Sequence, residues 1–394
     1  ITPVEKILLD TIKANGPVSF ATYMQMCLSH PTEGYYMKSA NSIFGSRGDF
    51  ITSPEISQVF GELVGVWLLS QYMQNAAPGT HIQIIELGPG RGTLMADVLR
   101  TLMQLTPVKS ALRSVLLVET SPALRDAQSE VLKQWSEVPG ITVKWHESLD
   151  DVCLDDNAFT MLVAHEFFDA LPFHLLERSH QGWQEVMITV DPDTTAKTVL
   201  RASDLPKPLT DPSVDMTLPL SSSRSRLRPV LSSVPSPISN LLGRSSPRFH
   251  ELPVGSRIEV SPAAFRIAQK IGEIIGSLGR KGAGLLVDYG AGHVFDNSFR
   301  AFKGHKIVDP FYLPGQCDLT VNVDFTYLSE ALAGTATRHG PLTQHDFLTR
   351  MGMHLRVKKL QDAARPERRK SIEDAANRLV DLMGMGKQYK VMGV

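Results

Sequence analysis

The sequence predicts an α/β fold: a mostly parallel, doubly wound, Rossmann-like sheet behind a helical N-terminal extension and interrupted by an insertion. Three observations carry this reading. Short apolar runs alternate with amphipathic runs between residues 81 and 164, the order that places successive strands parallel with helices on both faces. A glycine-rich turn, Gly88-Pro89-Gly90-Arg91-Gly92, follows the first run. Acidic residues, Glu86 and Glu119, close the first and second runs, where strand ends in such a sheet face a ligand crevice.

The elements follow in order. Residues 3–14 carry Val4, Ile7, Leu8 and Ile12 at helical spacing. After an irregular, glycine-containing stretch, Ser53 and Pro54 open a helix over 55–74, Ser53 as its N-cap. Residues 81–87 read as a strand, and 93–105 as a helix with Leu94, Val98, Leu102 and Leu105 on one side. A buried strand over 114–118 leads to Glu119, and Ser121-Pro122 opens a helix to about Trp135. Strands at 141–145 and 159–164 complete the first half, and 174–178 with 183–190 suggest a hairpin. Residues 191–250 are rich in Ser, Pro and Arg, with no acid between Asp215 and Glu251, and predict a poorly ordered insertion. Its arginines are read either as a solvated loop or as a grip on an acidic partner. A strand at 257–260, a helix at 262–278 and a strand at 284–288 follow, then helices at 324–333, 343–351 and 371–383. The expected organisation is a helical cap or lid (1–74), a cofactor-binding half (75–190), the insertion (191–255) and a C-terminal half (256–394).

Composition bounds the function. An apolar fraction of 42% suits a full core, and 40 basic residues nearly cancel 41 acidic ones. No global field therefore draws nucleic acid or an anionic membrane. No apolar run approaches the ~20 residues of a membrane helix. Cys27, Cys153 and Cys317 show neither zinc spacing nor a disulfide framework, and the histidines lack metal-ligand spacing, so no metal is expected. Ile1 stands where an initiator Met would, and the sequence alone leaves the compartment open.

Glycines let a backbone approach a ligand closely, and the helix beyond them offers unpaired N–H groups. Dinucleotide and S-adenosylmethionine sites share this context. The dinucleotide fingerprint needs a third glycine where Thr93 stands. Glu86 suits a cationic sulfonium ligand and repels a pyrophosphate. The expected cofactor set is Glu86, Gly88, Gly90 and Gly92, with Glu119 for the ribose hydroxyls and Ser148-Leu149 for the adenine edge. A solvated strand end at Glu119, and an ordinary loop at 147–149, are the plainer alternatives.

The fourth strand ends in His165-Glu166-Phe167-Phe168-Asp169-Ala170-Leu171-Pro172. Carboxylates hold a guanidinium bidentately and aromatic faces attract it, so Glu166 and Asp169 are the candidate acceptor-binding acids. His165 is the candidate proton acceptor. The alternative is a helix cap with solvated acids and core phenylalanines.

Gly34-Tyr35-Tyr36, Gly48-Asp49-Phe50-Ile51-Thr52-Ser53-Pro54-Glu55-Ile56-Ser57, the glycine loop, the loop at 165–172, Asp288-Tyr289-Gly290 and residues 318–325 together resemble the MidA-like family. The match covers most of the chain in the right order, and its Thr52-to-Ser57 block is more specific than the glycine loop. The resemblance implies a class I, seven-stranded methyltransferase fold with S-adenosylmethionine as methyl donor. It further implies symmetric dimethylation of an arginine on a core subunit of mitochondrial complex I during assembly, hence a protein substrate and the mitochondrial matrix. Two departures stand out: the stretch at 201–250 matches no family motif, and the end after Met383-Gly384-Met385-Gly386 reads as an altered or short closing segment.

Tyr35, Tyr36, Asp49, Thr52, Ser53 and Glu55 crowd polar and aromatic groups between glycines, as a lid over bound cofactor would; a rigid capping element is the alternative. Two rival functions remain. A nicotinamide-dependent oxidoreductase is opposed by Thr93 and Glu86. A non-catalytic assembly chaperone that retains the cofactor fold is opposed by Glu166 and Asp169.

Overall fold

The computed structural model describes residues 1–37, 51–191, 225–276 and 281–394; Asp49 lies outside them. The central sheet has seven main strands, numbered here in chain order: β1 His81–Leu87, β2 Leu112–Val118, β3 Thr142–His146, β4 Ala158–His165, β5 Lys281–Ala291, β6 His339–Thr343 and β7 Tyr389–Gly393. They lie in the order β3-β2-β1-β4-β5-β7-β6. Strands β1 to β5 run parallel to one another, and β7 runs antiparallel to both β5 and β6. This is the expected class I methyltransferase sheet. The order reverses beside β1, so the crevice falls at the C-terminal ends of β1, β2 and β4.

Burial on both faces explains the near-continuous apolar strands. Ile82 and Ile84 of β1 join one core with Val59, Leu63, Leu94, Val98 and Leu379, beneath the helices Gln58–Asn75, Thr93–Leu102 and Pro366–Val380. Ile85 and Leu87 join a second core with Ala268, Ile271, Ile275 and Leu328, beneath Pro262–Gly276 and Phe325–Ala331.

A five-stranded antiparallel sheet flanks this unit. The expected hairpin is present as His174–Ser179 and Gly182–Val190. Residues 192–224 lie outside the described part of the chain. Residues 225–250, expected to be poorly ordered, instead form an edge strand, Leu227–Leu231, and two short helices, Pro237–Leu242 and Pro247–His250. Pro229 is tolerated because the strand is at an edge. The chain's own acids hold Arg248: Asp324 and Glu330 each accept from it at 2.9 Å. A three-stranded sheet, Arg300–Lys303, Lys306–Val308 and Asp318–Thr320, stands beside it. The N-terminal helices Pro3–Asn15 and Phe20–Ser29 pack here, through Val4, Leu8, Tyr23 and Met24 against Phe173, Ile188 and Phe299.

Two helical expectations need correction. The run at 55–74 is two helices, Ser53–Ile56 and Gln58–Asn75, capped by Thr52 and Ser57 in place of Ser53. The helix placed at 371–383 is the second arm of a hairpin, Met353–Ala363 and Pro366–Val380, which Pro366 separates. The closing residues Tyr389–Gly393 supply β7, a strand too short and mixed to show a period.

Candidate active site

A cavity of about 480 Å³ opens at the ends of β1, β2 and β4. Gly88, Gly90 and Gly92 all take left-handed φ, from 55° to 83°, which a side chain would strain. At Gly88 a Cβ atom would sit 2.9 Å from the Phe167 ring. Glu86 and Glu119 both line the cavity. Burial, with Glu119 close by, pushes the Glu86 carboxyl up to about 8, and its Oε2 is buried without a partner. Glu119 Oε1 accepts from the Ser121 N–H at 2.8 Å. Burial raises Glu119 too, against these donors.

Gln128 binds the two halves of this end together. Its Nε2 donates to the Gly90 carbonyl at 2.7 Å and to Glu119 Oε2 at 3.2 Å, while its Oε1 accepts from Trp145 Nε1 at 2.8 Å. Ser148, Leu149 and Asp150 line the cavity beyond Glu119, with the Ser148 hydroxyl accepting from the Asp150 N–H.

The opposite end is built on Glu166, Asp169 and Asp288. The Asp288 Oδ2 accepts from three successive N–H groups, of Phe167, Phe168 and Asp169, at 2.9–3.3 Å. That collar fixes the loop after β4. Glu166 takes a left-handed φ of 48°, the kind of local strain that a surrounding network must hold in place. Its Oε1 accepts from the Tyr389 hydroxyl at 2.8 Å and its Oε2 from Tyr289 at 3.3 Å. Burial, then the charge of Asp169, pushes Glu166 up to about 8. Asp169 Oδ2 accepts from Thr320 at 2.7 Å and its Oδ1 is buried without a partner; burial pushes it up to about 6. Burial drives the His165 imidazole down to about 3. It is therefore neutral and, in the free site, a weak base.

Of the residues singled out from sequence, Glu86, Gly88, Gly90, Glu119, Ser148, Leu149, Tyr36, Thr52, Glu55, His165, Glu166 and Asp169 line one cavity. Gly92 does not line it but caps the next helix. Tyr35 and Ser53 are fully buried away from it; Ser53 donates to Gln344 at 3.3 Å. Tyr36 spans the cavity: its hydroxyl donates to Asp318 Oδ1 at 2.7 Å and its carbonyl accepts from Ser121 at 2.6 Å. The aromatic pair differs from expectation. Phe168 is in the core and Phe167 packs toward Gly88, and the rings beside Glu166 are Tyr289 and Tyr389. Sequence reasoning missed Gln128, Thr320 and Tyr389. Only Gln128 left a signal, a polar residue between Leu124 and Leu132 on an apolar helical stripe.

Residues 63–342 match the family model described as "Putative S-adenosyl-L-methionine-dependent methyltransferase". A protein from Danio rerio named "Protein arginine methyltransferase NDUFAF7, mitochondrial" is 36% identical over 99% of this chain and 86% of its own. The Homo sapiens protein of that name is 35% identical over 99% of this chain and 82% of its own. The chain belongs to the MidA-like family of S-adenosylmethionine-dependent methyltransferases. A Burkholderia thailandensis methyl transferase structure with S-adenosyl-homocysteine bound superposes with a TM-score of 0.74 at 23% identity, over 99% of this chain and 91% of that one. That likeness shows the shared fold.

The residues of this methyltransferase fit its donor. An orphaned buried carboxylate oxygen at Glu86 suits the cationic end of a zwitterionic sulfonium. At Gly88 the turn has no room for a side chain beside the Phe167 ring, so bare backbone faces the cavity there. A nicotinamide cofactor, the rival weighed from sequence, falls with the family assignment.

Proposed function

We propose that this chain is a protein-arginine methyltransferase that dimethylates, symmetrically, an arginine on a core subunit of mitochondrial complex I during assembly. The observation that carries the acceptor is the pair Glu166 and Asp169 at the end of β4, both raised by burial; Arg300 offsets this in part at Asp169, whereas the charge of Asp169 adds to it at Glu166, which is left in want of a cation. A guanidinium supplies that cation and pairs with carboxylates in fork geometry. The relatives' names, which give arginine and mitochondria, support the reading, and with it a mitochondrial, matrix location for this chain.

Glu86, Gly88, Gly90, Glu119, Ser148 and Leu149 would hold the donor, which supplies an electrophilic methyl group, while Gly92 turns the chain into the helix beyond. Tyr36, Thr52 and Glu55 border the entry, where they exclude water from the reacting end. Glu166 and Asp169 orient the guanidinium and localise a lone pair on one terminal nitrogen. Glu166, with a carboxyl near 8, is better matched than His165 to accept the proton released after transfer.

The test is incubation with labelled donor and complex I core subunits, followed by mass spectrometry. Label on one arginine, one methyl per terminal nitrogen, is the expected result. Label on another residue type removes the arginine assignment. No transfer together with normal client binding favours an assembly chaperone.

A further inference from the structure

Glu166 stands between two hydroxyls delivered by different strands, Tyr289 of β5 and Tyr389 of β7. The two rings pack with centroids 4.4 Å apart. Tyr389 also lies parallel to the His165 ring, at 6.3 Å. Packing thus fixes both hydroxyls, and burial pushes both phenols well above their ordinary range, so they remain donors. A donor to each oxygen favours the anion over the acid and sets the plane of the carboxylate. One lone pair on each oxygen stays available to a fork of N–H groups.

The buried cation Arg300 lies over the Tyr289 ring at 5.6 Å and acts on Tyr289 and Asp169. Asp169 on its own loop, Asp318 on the strand Asp318–Thr320 and Asp288 on β5 all oppose a charge there. His165, beside it on β4, is neutral.

We propose that Tyr289 and Tyr389 are positioning residues, which fix the plane of the Glu166 carboxyl and favour its anion when the acceptor's cation arrives. In its catalytic consequence this rests on the arginine reading above; in its account of Glu166 it does not.

The test uses the full chain with ¹³C-labelled glutamate carboxyls, the Glu166 signal being assigned by its loss in Glu166→Gln. Tyr389→Phe and Tyr289→Phe each remove one oxygen atom and keep the ring. In each, the Glu166 midpoint is expected to rise by about 1 pH unit, tenfold in proton affinity. The acid limb of kcat/KM for an arginine peptide should move with it, with S-adenosylhomocysteine affinity unchanged. Tyrosines that serve packing alone leave the midpoint and pH profile of both variants on those of wild type, and that result overturns the proposal. A shifted midpoint with no arginine methylation by wild type upholds the tyrosines' role and removes the arginine reading instead.

Discussion

Gln128→Leu isolates the link between the glycine turn and Glu119. The side chain is fully buried, and leucine nearly matches its volume, so the change deletes hydrogen bonds and opens little space. Three are lost: to the Gly90 carbonyl, to Glu119 and from Trp145. The Trp145 N–H is left without an acceptor, and a buried group stranded this way costs about 1–3 kcal/mol of stability. Glu119 keeps its bond from the Ser121 N–H but loses its second anchor, and the turn loses the brace on Gly90. Affinity for S-adenosylhomocysteine should fall roughly 10- to 100-fold, or about 1.4–2.8 kcal/mol. Titration calorimetry measures that loss, with urea unfolding in parallel to separate it from stability. A variant that unfolds earlier yet binds within twofold of wild type would refute the reasoning, because Gln128 would then brace the fold and not the cofactor site.

Gly90→Val forces a β-branched residue into a φ of 55° and fills the approach to the cofactor; S-adenosylhomocysteine binding is expected to vanish, and unchanged affinity counts against the site. Glu166→Ala should spare that binding and abolish methyl transfer, as read by label incorporation. The pH profile has a fixed sign. Glu166 is raised to about 8 and is mostly protonated near pH 6.5; a bound guanidinium needs the anion, so binding releases a proton. kcat/KM should therefore climb about fifteenfold from pH 6.5 to 8, and a flat profile would remove Glu166 from acceptor binding.

The sheet was legible because apolar runs buried on two faces and amphipathic helices leave different periods. The glycine turn and the acids Glu86 and Glu119 were legible because strand ends, turn and helix start lie close in sequence. What escaped was held by distant partners. Asp288 secures a loop about 120 residues away, and Tyr389 reaches Glu166 across 223 positions. Neither leaves a local signature. Residues 225–250 misled for a different cause: many serines, prolines and arginines without an acid read as disorder, yet Arg178 donates to the carbonyls of Phe249, His250 and Leu252 and ties the segment down. In the loop after β4 the aromatic signal was real but misassigned, since Phe168 serves the core and the tyrosines come from other strands.

The place of β7 has a consequence for biosynthesis. It lies between β5 and β6 in the sheet, although both precede it in the chain. Until Tyr389–Gly393 has been made and inserted, β5 presents an unpaired edge and β6 has no neighbour to join. A nascent chain at that stage is open to edge-to-edge association, and a chaperone that covers β5 would protect it. The same insertion delivers Tyr389 to Glu166. Completion of the sheet and completion of the network around Glu166 are therefore one event, and a nascent chain lacks the Tyr389 bond to Glu166 until the sheet has closed.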